Sequence, residues 1–170
     1  MTGPENRMTP AISVEVCNRQ RTRRLNLALL RQMIRWLAAE WSGDAPNAEG
    51  RLCLHFVDAS TMAELNGKFL GHAGSTDVIT FDYREQTTTS QWCGEIFVSV
   101  DDAVACAPKY RASWQLELMR YVVHGMLHLR GYDDTRPALR RAMKREESRR
   151  LKELSRRYDL SRLERKKNAA

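Results

Sequence analysis

The sequence predicts an α+β fold: one domain with a small four-stranded mixed sheet, helices packed on it, and a metal-binding helix at the centre. Three observations carry this. The chain has 170 residues with 42% apolar content, enough for a single sizeable core. Alternating and helical patterns follow each other in the order β-α-β-α-β-β-α-α-α. The helix predicted after Ser113 is apolar on two sides and carries two histidines on its third, so it must lie between other elements.

In chain order, residues 1–10 are polar and read as a disordered start. AISVEVC (Ala11–Cys17) alternates as a strand. Asn18–Thr22 is a polar turn. Leu29, Leu30, Met33, Ile34, Leu37 and Trp41 recur at helical spacing within Leu25–Trp41. Ser42–Gly50 is a loop by its Gly, Pro and Asn content, and Arg51–Val57 is a second strand, with His55 a core or edge residue. Thr61 and Glu64 fit a capping box that opens a short helix to about Phe69. After the Gly71–Ser75 loop, Asp77–Tyr83 is β-branched and aromatic, hence a strand. The polar stretch Arg84–Gln91 separates it from the strand Cys93–Val100. Asp101 is placed to cap the next helix, which Pro108 ends or disturbs. Ser113 caps the long helix, whose apolar positions are Leu116, Met119, Val122, Val123, Met126 and Leu127. Pro137 suits the first turn of a last helix from about Arg136 to Tyr158. The expected organisation is one domain over 11–158, followed by a basic tail over 159–170.

Charge and cysteine usage narrow the class. Net charge is +7, and residues 136–170 alone hold 14 Lys+Arg against 5 Asp+Glu. A polyanion such as RNA is one partner that suits this, and a solvated charged helix is the other reading. Cys17, Cys53, Cys93 and Cys106 are dispersed and form no C-x-x-C pair, so they read as reduced thiols of a cytoplasmic protein. No apolar run reaches membrane-spanning length, and the first residues lack the apolar core of a signal peptide.

The chemistry concentrates in HGMLHLRGYDD, His124–Asp134. His124 and His128 stand one helical turn apart on one face. Gly131 tolerates the left-handed backbone at which a helix ends, and Asp134 follows on the returning chain. H-x-x-x-H-x-x-G-x-x-D is the ligand spacing of metzincin zinc sites with Asp as third ligand. Three protein ligands leave one position for water, the pattern of a catalytic site. A zinc peptidase carries its general-base Glu directly after the first His. Here that residue is Gly125, which counts against a peptidase. Glu117 lies two turns before His124 on the same face. It reads as a supporting carboxylate that orients an imidazole, or as a helix-start or surface acid.

At these residues the chain resembles a known family, the YbeY-type endoribonucleases, metal-dependent bacterial enzymes of ribosomal RNA maturation. Their motif H-G-x-L-H-L-x-G-Y-D-H is matched by His124, Gly125, Leu127, His128, Leu129, Gly131, Tyr132 and Asp133. LNGKFLGHAGSTDVITFDY looks like the family's L-N-x-x-Y-R…T-D-V-L-S-F segment, and GEIFVSVDDA is similar to the strand and helix start that follow. The likeness spans Leu65–Asp134. It implies a cytoplasmic, single-strand-specific RNA endonuclease with a bound zinc. Such an enzyme acts on the 3′ end of small-subunit ribosomal RNA and in ribosome quality control, with the small ribosomal subunit as partner.

Two positions depart from the pattern. The family's third histidine is Asp134 here, ten residues after His124, with Asp133 matching the family's own Asp and suited to a supporting role. The family's arginine is Leu70, which removes a candidate phosphate contact. His72 or Lys68 are the candidates to replace it, and the plain loop residue is the favoured reading of His72. Zinc is the expected metal, though two histidines and a carboxylate also accept Fe(II), Mn or Ni. Two other classes remain open: an RNA- or ribosome-binding maturation factor that has lost catalysis, and another metal hydrolase.

Overall fold

The computed structural model describes residues 12–42, 50–86 and 92–165. The expected disordered start, most of the loop after Ser42 and the end of the polar stretch before Trp92 lie outside them. Four strands form one sheet: β1 (Ile12–Asn18), β2 (Gly50–Val57), β3 (Val78–Asp82) and β4 (Trp92–Ser99). Their spatial order is β1-β2-β4-β3. The first three neighbours run parallel, with Val14 opposite Leu52 and Leu54 opposite Ile96. β3 closes the edge antiparallel, with Thr80 opposite Ile96. β2 lies between two strands and is buried from Leu52 to Val57, which explains its near-continuous apolar run. The predicted mixed four-stranded sheet and α+β class are what the structure has.

α1 (Leu27–Ser42) buries Leu30, Met33, Ile34, Leu37 and Trp41, the stripe expected from its spacing. α2 (Ala59–Leu65) begins earlier than expected. Asp58, not Thr61, is its cap: an Asp58 carboxylate oxygen accepts the Thr61 N–H at 2.8 Å. A capping carboxylate three residues upstream captured the N–H donor of the residue expected to cap. A π turn over Asn66–Leu70 then ends at Gly71, which has the positive φ of 68° that glycine allows.

α3 (Val100–Cys106) is also capped differently. Ser99 accepts the Asp102 N–H, whereas Asp101 reaches outward to accept the Ala59 N–H at 2.7 Å and the Thr22 hydroxyl. Asp101 therefore ties three segments together rather than ending one. Pro108 stops α3 and starts a 3₁₀ turn over Ala107–Tyr110, as its missing N–H requires. α4 (Trp114–Leu129) is capped by Ser113 as predicted, and α5 (Pro137–Arg157) has Pro137 in its first turn.

The expected boundary at 159 moves. Leu160–Leu163 forms a 3₁₀ turn with Leu163 wholly buried, Leu25 bridges to Glu164, and the Arg165 N–H bonds to the Arg24 carbonyl. One apolar side chain inside a basic run is enough to dock this segment.

α4 lies on the sheet face formed by β3 and β4, and two glycines set its height. A Cβ on Gly125 would stand 2.7 Å from the Ile96 Cγ2 atom and 3.1 Å from the Thr80 hydroxyl. A Cβ on Gly94, in β4, would stand 2.6 Å from a Leu129 methyl. Helix and sheet thus meet at bare backbone near both ends of the histidine turn. α5 packs across α4 through Met143, Leu151 and Leu154.

Candidate metal centre

Position 125 faces the sheet, so positions 124 and 128 face away from it, toward α5 and the loop after Gly131. Gly131 has φ +87° and turns the chain back, and its N–H bonds to the His128 carbonyl at 2.9 Å. The Asp134 carboxylate arrives from that loop. His124 Nε2 and His128 Nε2 are 3.1 Å apart, and one Asp134 oxygen lies 3.8 Å from the first and 4.0 Å from the second. The circle through these three atoms has a radius of about 2.1 Å, the length of a zinc bond to imidazole or carboxylate. The donor set fits a divalent ion. Arg136, which has no side-chain capping bond, occupies the cap position of α5, so Asp134 does not cap that helix.

The second nitrogen of each ring is already engaged. His128 Nδ1–H donates to the Tyr132 carbonyl at 3.1 Å. His124 Nδ1–H donates to Glu147 at 3.1 Å, and Arg120 donates to the other Glu147 oxygen at 2.7 Å. Both rings therefore present Nε2 lone pairs to the shared point. Glu117 is 2% exposed and accepts from Arg120 Nε at 3.3 Å. Its link to His124 runs through Arg120 and Glu147. Asp133 accepts the Thr135 N–H at 2.8 Å and its hydroxyl at 2.7 Å, bonds that shape the loop and hold its carboxyl below the usual carboxylate range.

Glu147 was not legible in the motif. Its signal is its position: it shares the buried stripe of α5 with Met143, Arg150, Leu151 and Leu154, and an acid in such a stripe needs a partner. Burial disfavours the imidazolium of His124, but the Glu147 hydrogen bond and charge, with Asp77 and Asp134, outweigh it and raise its pKa. Burial likewise opposes ionisation of Glu147, while its bonds from His124 and Arg120 hold its pKa below the ordinary value.

In metal-free protein, an NMR titration should place the His124 midpoint above 6.5, and Glu147→Gln should lower it. The stability that His124 draws from this pair is complete below pH 6.5 and fades as pH rises through the raised value. The share belonging to Glu147 is complete above pH 4.5 and fades as pH falls through its lowered value. An unchanged midpoint in Glu147→Gln would remove Glu147 as the brace.

A cleft of about 660 Å³ opens beside His124, lined by Ser75, Thr76, Asp77, Tyr110, Arg120 and Lys144 among others. His72 is not part of it. It follows Gly71 in an exposed turn, where its N–H bonds to the Asn66 carbonyl. Lys68 lies over the Phe69 ring, and Leu70 is 51% exposed. The described residues therefore bring neither His72 nor Lys68 to the three donors. Among the described residues no helix is long and apolar enough to cross a membrane.

The family model for endoribonuclease YbeY matches residues 13–155. Endoribonuclease YbeY of Chlorobium phaeovibrioides is 34% identical over 130 residues, covering 76% of this chain and 83% of that protein. The Salinibacter ruber protein of the same name is 38% identical over 111 residues, covering 59% and 71%. Among solved structures, the solution structure of a Thermotoga maritima protein matches with a TM-score of 0.63 over 92% of this chain and 99% of that one. At 21% identity this is a likeness of fold. The matched span takes in both histidines, Asp134 and the Glu147 brace, and the chain belongs to the YbeY endoribonuclease family.

Proposed function

We propose that this protein is a metal-dependent endoribonuclease for single-stranded RNA, acting in the cytoplasm on the 3′ end of small-subunit ribosomal RNA and in ribosome quality control. The observation that carries the reading is the convergence of His124, His128 and Asp134 on one point beside an open cleft, in a chain of this family. The three would hold one divalent ion, zinc by preference. A bound ion of this kind supplies Lewis acidity, lowering the pKa of water and polarising phosphoryl oxygens.

The remaining work falls to the chain's own side chains. Glu147 fixes the tautomer and angle of His124, and the Tyr132 carbonyl does the same for His128. Lys144, one turn before Glu147 on α5, brings positive charge to the cleft and takes the phosphate contact that Leu70 cannot make. The absent peptidase base has a structural counterpart: at position 125 a side chain would point into the sheet, not at a substrate.

Single-stranded RNA should be cut in a chelator-sensitive way, with activity restored by zinc, while an unstructured peptide is left intact. The presence of Leu70 favours one alternative, a maturation factor that binds RNA without cutting it. Binding without cleavage under every divalent metal tried would establish that reading instead.

The basic C-terminus should contribute to RNA affinity. Truncation after Arg165 removes Lys166 and Lys167 and spares the docked Leu163. The log–log salt slope of binding should become shallower by up to about 1.4, the counterion release of two contacts to a single strand. An unchanged slope would show that these lysines do not touch RNA.

A further inference from the structure

The sheet face turned away from α4 carries a second group of metal-ligating side chains. Strand alternation puts Val14, Leu52, Leu54 and Ile96 under the helices, and Cys17, Cys53, His55 and Glu95 on the opposite side. Cys17 and His55 are register partners on adjacent parallel strands, and Cys53 precedes His55 by two residues on the same face. Cys53 Sγ lies 3.3 Å from His55 Nε2, and one donor atom from each of Cys17, Cys53 and His55 lies within 4.8 Å of the other two.

We propose that Cys17, Cys53 and His55 form a second metal site, for one thiophilic divalent cation of the Zn(II) class, with the Glu95 carboxylate adding negative charge beside it. Glu95 stands on the next strand, its oxygen 3.9 Å from His55 Nε2. The His55 ring is held for this role: it is 8% exposed and stacks on Phe97 at 4.4 Å with 12° between the planes. Among the described residues its Nδ1 has no hydrogen-bond partner, so the ring is not positioned by a bond on that side. The Glu15 and Glu95 carboxylates flank the group, and a divalent ion would displace the two thiol protons. Cys17 is half-buried and gives the ion its entry. An ion held by Cys17 from β1 and by Cys53 and His55 from β2 would rivet these two strands together, a structural role.

This inference is independent of the nuclease reading. Full-length protein, kept reduced with a phosphine and dialysed against Co(II), should bind about two ions per chain, one at each site. The centre on α4 contains no sulfur, so a thiolate-to-cobalt charge-transfer band in the near ultraviolet reports the second site alone. Cys17→Ser should lose the band and one equivalent of cobalt, and should keep RNA cleavage. His128→Ala should lose the other equivalent and keep the band. Added Zn(II) should bleach the band in the wild-type protein. No band in wild-type protein would overturn the proposal. So would a band that survives in the Cys17→Ser, Cys53→Ser double variant, since the thiolates would then be elsewhere.

Discussion

His128→Ala is expected to leave a folded protein that holds no metal at the α4 centre and cuts no RNA. The side chain is 31% exposed, and among the described residues its one non-ligand hydrogen-bond partner is a main-chain carbonyl that water can satisfy. Its removal therefore costs the fold little. It leaves two donors where the geometry supplies three, so metal at that centre should fall below about a tenth of an equivalent. His124→Ala is the less clean variant, because it strips Glu147 of one of its two partners inside the protein. Asp134→Asn replaces the anionic donor by a neutral one and should weaken binding markedly, whereas Asp134→His should keep a site biased toward zinc. Elemental analysis alongside a cleavage assay checks these four and Asp134→Ala, which removes the donor altogether. If Asp134→Ala holds as much metal as wild type, Asp134 is not a ligand. If His128→Ala does, the centre itself is misassigned.

The second large effect is expected at Gly125. Gly125→Ala gains about 1 kcal/mol of helix propensity but drives a methyl group into Ile96, an overpacking that costs about 1–3 kcal/mol. A net loss of up to about 2 kcal/mol should result. Gly125→Glu adds a carboxylate buried against Ile96 and Val78, and should cost at least about 4 kcal/mol. In a chain of this size that lowers Tm by roughly 10 °C or more. Thermal unfolding measures both. A Gly125→Glu protein as stable as wild type would show that α4 does not sit flush on the sheet. Restoring the peptidase motif should thus yield an unstable protein rather than a peptidase.

The convergence of the three candidate donors was readable in the sequence because they are local. His124 and His128 share one helix, Gly131 ends it, and Asp134 follows within one turn of chain. What was not readable is what depends on pairing between distant segments. Glu147 lies 23 residues beyond His124, on a different helix. Cys17, Cys53 and His55 come together only once β1 and β2 adopt their parallel register, which no local pattern specifies. The helix starts failed for another reason. Asp58 and Thr61 compete for one cap, as do Ser99 and Asp101, and the winner is decided by what the loser can reach elsewhere, as Asp101 does at Ala59. The end of the domain was misplaced because a single leucine, Leu163, outweighs the charges around it. His72 has the right residue type, but it lies in an exposed turn away from the donors.

The loop after Gly131 and the helix that follows it have a consequence for timing. A chain made from its N-terminus releases the sheet and the two histidines first, and domains begin to fold as they emerge. Asp134 and Glu147 come later, and Leu163, which closes the molecule back onto Leu25, comes near the very end. An incomplete chain therefore has two imidazoles on a helix but neither the carboxylate that completes them nor the one that aims them. The three candidate donors and the acid that aims His124 stand together only after residue 147 has emerged.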